Sequence, residues 1–137
     1  MTNLKALLNF EMKVLVTGVS GGFGKLMVPK LLKAGHQVIA TSRHKDKAEQ
    51  LPFFKDIIYI PYDISQQASG NLYDLFQQPD SMIHLAWDKL HNYYDDDHTA
   101  VILDSHKAFL LNLVSNGLKD FNGLGTCYEY GLTEGEV

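Results

Sequence analysis

At 137 residues the chain makes one domain or a piece of one, and a 45% hydrophobic content supports a real core. Sixteen acidic residues against twelve basic ones give a net charge of −4, and no basic stripe runs through the sequence, which argues against a nucleic-acid partner. The single cysteine, Cys127, excludes an internal disulfide and favours a reducing, cytoplasmic location; no apolar run approaches the roughly 20 residues that span a bilayer.

Residues 1–12 carry one lysine and two short apolar clusters, Leu4 and Ala6-Leu7-Leu8, without the long apolar stretch of a signal peptide. They read as an N-terminal extension, with Met12 as an alternative start. The domain proper, 13–137, opens on a strand at 13–17, Lys-Val-Leu-Val-Thr. A turn containing Gly18, Gly21 and Gly24 follows at once, and a helix is expected over 22–34 with Leu26, Met27, Leu31 and Leu32 as its apolar face and Gly35 as its stop. Pro29 lies inside that pattern and should kink the helix unless its missing N–H falls in the first turns. Strand two is expected at 37–41, a short helix within 42–50, strand three at 56–60, a helix at 71–77 with Leu72, Leu75 and Phe76 on one side, and strand four at 81–85. A polar, aromatic loop over 88–97 leads to a long helix at 98–116, with Val101, Ile102, Ala108, Phe109, Leu111, Leu113 and Val114 apolar and Gly117 at its end. A last, weak strand is expected at 121–125. Strands and helices that alternate in this way form an α/β, Rossmann-type doubly wound parallel sheet of order 3-2-1-4-5, whose ligand crevice lies at the carboxyl ends of strands one and four.

A buried strand running into G-x-x-G-x-x-G and then a helix is a dinucleotide-binding arrangement. Gly18 lets the chain leave the strand sharply, Gly21 keeps side chains away from a pyrophosphate, and Gly24 lets the helix pack close. The helix N-terminus offers free N–H groups and a partial positive charge to phosphates. A P-loop is excluded, since Gly24-Lys25 would need glycine at Val19 and a hydroxyl at Leu26. At the end of strand two, where an acidic residue would meet a free ribose 2′-hydroxyl, stand Ser42 and Arg43; an arginine fork suits a 2′-phosphate, which favours NADP over NAD. After strand three, Asp63 can accept a hydrogen bond from an adenine amino group. After strand four, small Ala86 lets the backbone approach a cofactor.

Together, Thr17-Gly-x-x-Gly-x-x-Gly24, Gly35-His36, Asp63-Ile64, His84-Leu85-Ala86 and Gly125-Thr-Cys-Tyr-Glu-Tyr-Gly131 resemble the extended short-chain dehydrogenases/reductases, and within them the NAD-dependent epimerase/dehydratase group that acts on nucleotide sugars. The resemblance covers nearly all of 13–131. It implies a cofactor-binding set of Gly18, Ser20, Gly21, Gly22, Phe23, Gly24, Ser42, Arg43, Asp63, Ile64, Leu85, Ala86 and Trp87. It implies a catalytic hydroxyl at Thr126 and a reaction of the epimerase, dehydratase or ketosugar reductase kind on a nucleotide sugar. It also implies a homodimer through the helix at 98–116.

The family's acid/base tyrosine stands in a Tyr-x-x-x-Lys helix. None of the seven tyrosines here has lysine four places on, and Val137 closes the sequence before such a helix would begin. The chain is therefore expected to be the amino-terminal half of a larger enzyme, truncated after the fifth strand and without turnover by itself. The alternative is a non-catalytic NAD(P)-binding sensor or subunit-interaction module; a remnant that binds nothing well is disfavoured by the intact glycine turn. Asp95, Asp96, Asp97 and His98, with His91 nearby, read as helix N-terminal acids rather than a metal site. In the family this loop lies near the substrate, which makes His91, Tyr93 or Tyr94 candidate contacts. His84 reads as a core-edge histidine, and Cys127 as a packed thiol.

Overall fold

The computed structural model describes residues 11–92 and 94–125. The first ten residues of the expected extension, Tyr93, and the segment from Thr126 onward, with the Thr126 assignment and Cys127, lie outside the described residues.

Five parallel strands form one sheet of order β3-β2-β1-β4-β5: β1 Lys13–Thr17, β2 Gln37–Thr41, β3 Ile58–Tyr59, β4 Ser81–His84 and β5 Asp120–Gly123. The expected order is the observed one. Alternation along β1 and β2 explains why both faces are covered. Val14, Val16, Val38 and Ala40 enter one core cluster with Val28 of α1 (Gly22–Lys33) and Ala48 of α2 (Lys45–Glu49). Leu15 and Ile39 point the other way, into a cluster with Leu72 and Phe76 of α3 (Leu72–Leu75 and its cap) and Phe109 and Leu113 of α4 (Leu103–Ser115). Each fully buried Val, Leu, Ile or Phe among them contributes about 1.5–3 kcal/mol relative to exposure, so the two clusters clamp the sheet from both sides.

Several local expectations are corrected. The buried stripe of α1 is Gly24 and Val28, with Leu31 and Leu32 packed beside them, whereas Leu26 is 67% exposed. The helix runs unbroken through Pro29, because Pro29 and Lys25, whose carbonyl loses its partner, both face solvent. It closes as expected at Gly35, where the Gly35 and His36 N–H groups bond the carbonyls of Leu32 and Leu31. Strand three shrinks to two residues behind a 3₁₀ turn at Phe54–Asp56. In α3, Leu72 and Phe76 are buried one turn apart while Leu75 is exposed. The long helix starts as a π-helical turn, His98–Ile102, before α4. Its buried line is Ile102, His106, Phe109 and Leu113, while Val101, Leu103, Leu111 and Val114 face outward. Strand five begins and ends earlier than expected, and its residues are exposed. No helix among the described residues is long and apolar enough to cross a membrane.

Candidate functional site

The carboxyl ends of β1, β2 and β4 open into one cleft, and all thirteen residues expected around a dinucleotide line it: Gly18, Ser20, Gly21, Gly22, Phe23 and Gly24 from the first turn, Ser42 and Arg43 after β2, Asp63 and Ile64 after β3, and Leu85, Ala86 and Trp87 after β4.

The turn itself is built for close approach. Gly18 has φ of +70°, and a Cβ there would stand 2.9 Å from the Ala86 nitrogen and 3.0 Å from its Cα. The contact that requires glycine at 18 is thus with the backbone that follows β4. At Gly24 a Cβ would fall 2.6 Å from the carbonyl oxygens of Gly18 and Val19, so the contact that requires glycine is with the turn's own backbone. Gly21 caps α1 with no side-chain hydrogen bond, and no acidic residue stands in the first turn. The leading N–H groups of a 12-residue helix are therefore open to an anion in the cleft. Thr41 also lines the cleft, and its buried hydroxyl has no partner among the described residues. Open helix donors, a bare glycine backbone and an unpartnered hydroxyl fit a diphosphate-bridged dinucleotide.

At the β2 end, Tyr59 donates to the Ser42 carbonyl at 2.9 Å and so receives the Ser42 hydroxyl proton at 2.9 Å. The Ser42 hydroxyl is the donor in that bond, and its own oxygen keeps its acceptor lone pairs. The Arg43 guanidinium grips Asp88 across the cleft mouth, Nη2–Oδ1 2.5 Å and Nη1–Oδ2 3.1 Å. Asp88 was not among the expected site residues, and it occupies the fork assigned to a 2′-phosphate. One oxygen of Asp63 accepts from the Ser65 N–H and hydroxyl, at 2.9 and 2.7 Å. Tyr62, a neighbour in the cleft, has its hydroxyl pKa pushed up by burial and then by Asp63, which keeps it a neutral phenol.

At the β4 end a chain of hydrogen bonds joins three elements. Thr17 and His84 are register partners on β1 and β4, with Thr17 Oγ1 2.8 Å from His84 Nδ1. His84 Nε2 stands 2.7 Å from His106 Nδ1 on α4. The Leu85 and Ala86 N–H groups also donate to Thr17 Oγ1, at 3.1 and 3.2 Å. Burial, and then the proximity of His106, lowers the His84 pKa to about 4; burial lowers that of His106 as well. Trp87 packs on His106 at 4.8 Å between ring centroids and donates its indole N–H to His98 Nδ1 at 2.9 Å. The expected role of His84 as a core-edge residue thus extends to a structural hydrogen bond. His106, which lines the cleft, was not expected; the spacing 102, 106, 109, 113 was the signal that placed it on the inward stripe.

Two acids of the loop before the π turn, Asp95 and Asp97, are engaged within it. Lys89 Nζ pairs with Asp95 Oδ2 at 2.9 Å and with Asp97.

A sequence profile described as the NAD dependent epimerase/dehydratase family matches residues 14–136. The chain is 30% identical over 131 residues to the dTDP-6-deoxy-L-talose 4-dehydrogenase (NAD(+)) of Aggregatibacter actinomycetemcomitans, an alignment covering 92% of this chain and 46% of that protein. The chain thus spans about half the length of that curated relative. Its fold matches the Bordetella bronchiseptica enzyme WbmH in complex with NAD+, with TM-score 0.64, 22% identity, and coverage of 89% of this chain and 41% of the other. It matches equally a yeast methylglyoxal/isovaleraldehyde reductase complexed with NADPH, with TM-score 0.62, 21% identity, and coverage of 82% and 36%. The cleft at the reversal of strand order and the extent of these likenesses lead to one conclusion: the chain belongs to the NAD-dependent epimerase/dehydratase family.

Proposed function

We propose that this chain supplies the dinucleotide-binding part of an enzyme that acts on a nucleotide-linked sugar, by epimerisation, dehydration or ketosugar oxidoreduction. The observation that carries the reading is the convergence on one cleft of the uncapped α1 N-terminus, the bare glycine turn and the polar ends of β2 and β3. The named activity of the curated relative supports the sugar class. When bound, the nicotinamide ring supplies hydride exchange with a sugar carbon. The protein's own part is to hold the diphosphate at the N–H groups of α1, to receive one ribose at Ser42, and to frame the adenine with Asp63 and Ile64. Arg43 supports NADP rather than NAD, provided that it exchanges Asp88 for a 2′-phosphate.

Thr126 is proposed to orient the reacting group of the substrate, since a hydroxyl can both donate and accept there. No tyrosine in the 137 residues is paired with a lysine four places on. The cleft-lining Tyr62 is moreover shifted away from the phenolate form. The chain by itself is therefore proposed to bind the cofactor without turnover, as would a non-catalytic binding module. The outward Val101, Leu103, Leu111 and Val114 are a proposed subunit contact.

A thermal-shift titration with NADP(H) and, separately, NAD(H) tests the reading. A ligand that binds only the folded form stabilises it by about 2.7 kcal/mol at a hundredfold excess over Kd. A rise with either dinucleotide is the expected outcome, and a larger one with NADP(H) supports the Arg43 assignment. No rise with either overturns the binding site, and measurable turnover by the purified chain overturns the statement on catalysis.

A further inference from the structure

The hydrogen bonds at the β4 end leave no freedom in where their protons lie. Thr17 is fully buried, and its hydroxyl oxygen receives two backbone N–H groups, from Leu85 and Ala86. Both lone pairs are then used, so the hydroxyl proton must be donated, and the partner in reach is His84 Nδ1. A neutral His84 with an accepting Nδ1 carries its proton on Nε2, which donates to His106 Nδ1. A neutral His106 with an accepting Nδ1 must in turn carry its proton on Nε2. The opposite polarity would present three donors to the Thr17 oxygen and bury a hydroxyl proton without an acceptor, a cost the fold avoids. The β1–β4 register and the inward stripe of α4 thus dictate the tautomers of two histidines.

His106 is only 8% exposed, yet it lines the cleft, and its Nε2 has no partner among the described residues. It stands on the β4 side, with Trp87 and Ala86, while Arg43 and Asp63 lie on the β2 and β3 side and the glycine turn between them. A dinucleotide with its diphosphate at that turn and its adenosine toward Arg43 and Asp63 puts its second ribose toward β4.

We propose that His106 donates its Nε2–H to a hydroxyl oxygen of that second, nicotinamide-side ribose, with Thr17 and His84 as positioning residues that hold the donor tautomer. The inference rests on the dinucleotide reading of the cleft. It assigns to His106 a contact that distinguishes a dinucleotide from a mononucleotide.

Two substitutions separate the roles of the ring. In His106→Asn the amide oxygen can accept from His84 in place of Nδ1, but nothing reaches the position of Nε2. In His106→Gln the longer amide restores a donor near that position. Isothermal titration of the wild type and both variants with ADP, ADP-ribose and NADH reads the result. His106→Asn is expected to weaken ADP-ribose and NADH about five- to tenfold, as for one lost hydrogen bond, with ADP unchanged; His106→Gln is expected to recover most of the loss. Nitrogen-15 shifts of the imidazoles should report Nε2–H on both His84 and His106 in the wild type. Equal losses for ADP and ADP-ribose, unchanged NADH binding in His106→Asn, or a proton on Nδ1 of either histidine would each overturn the assignment while leaving the cleft a nucleotide site. A wild type that binds neither ADP nor NADH would overturn the dinucleotide reading and this contact with it.

Discussion

Acid should loosen this fold chiefly through His84, whose pKa is depressed to about 4. His84 is packed between β1, α4 and the ring of Phe109, and its Nδ1 faces a hydroxyl that can only donate. Protonation would put an N–H against that hydroxyl proton and a charge into a poorly solvated site. Burial first, and His106 second, lower its pKa from 6.5 to about 4. A folded value below the unfolded one means that the unfolded chain binds more protons between the two. The stabilisation is full above about pH 6.5 and is lost as the pH falls toward 4, a change of about 3 kcal/mol. The perturbation is His84→Asn, whose amide oxygen can still take the Thr17 proton but which does not titrate. Its baseline stability should be lower, because the ring contacts are lost; its pH dependence is the informative quantity. Urea unfolding of both proteins at several pH values from 7.5 to 4 should show the wild type losing about 3 kcal/mol more than the variant across this window. Curves that fall in parallel would refute the depressed titration of His84.

Three further outcomes follow from the cleft. Gly24→Ala places a methyl 2.6 Å from two backbone carbonyl oxygens that cannot swing aside, and should cost about 3 kcal/mol or more in thermal denaturation, while Gly22→Ala, with nothing within 4 Å, should stay within about 0.5 kcal/mol. Gly21→Ala has a compatible φ of −77° and one close contact, to the Gly18 oxygen at 3.2 Å; it should fold, yet lose dinucleotide affinity about tenfold in a titration. Asp88→Asn releases Arg43 and removes a carboxylate beside it, so the NADPH-to-NADH affinity ratio should rise about tenfold, with little change in stability because the pair is partly exposed. An unchanged ratio would remove Arg43 from 2′-phosphate recognition.

Local rules made the frame legible in the sequence. Val14 to Val16 had to be a strand buried on both faces, Gly18 had to leave it with positive φ, and Gly35 and Gly117 had to stop helices, because such choices depend on neighbours a few residues away. The strand order followed from alternation and crossover handedness, and it carried thirteen expected residues to one cleft. Errors arose where a face had to be chosen. Leu26, Leu75 and Leu111 are apolar yet exposed, and His106 is polar yet buried, since hydrophobicity alone does not say which of two possible stripes meets the sheet.

What only the tertiary structure decided are the pairings between distant segments. Asp88 takes the fork of Arg43 from 45 residues away, and Thr17, His84 and His106 meet only after β1, β4 and α4 have packed. A motif specifies a backbone path, and that much is local. The direction of a proton along a hydrogen-bonded chain depends on every donor and acceptor that surrounds it, and the fold alone assembles those.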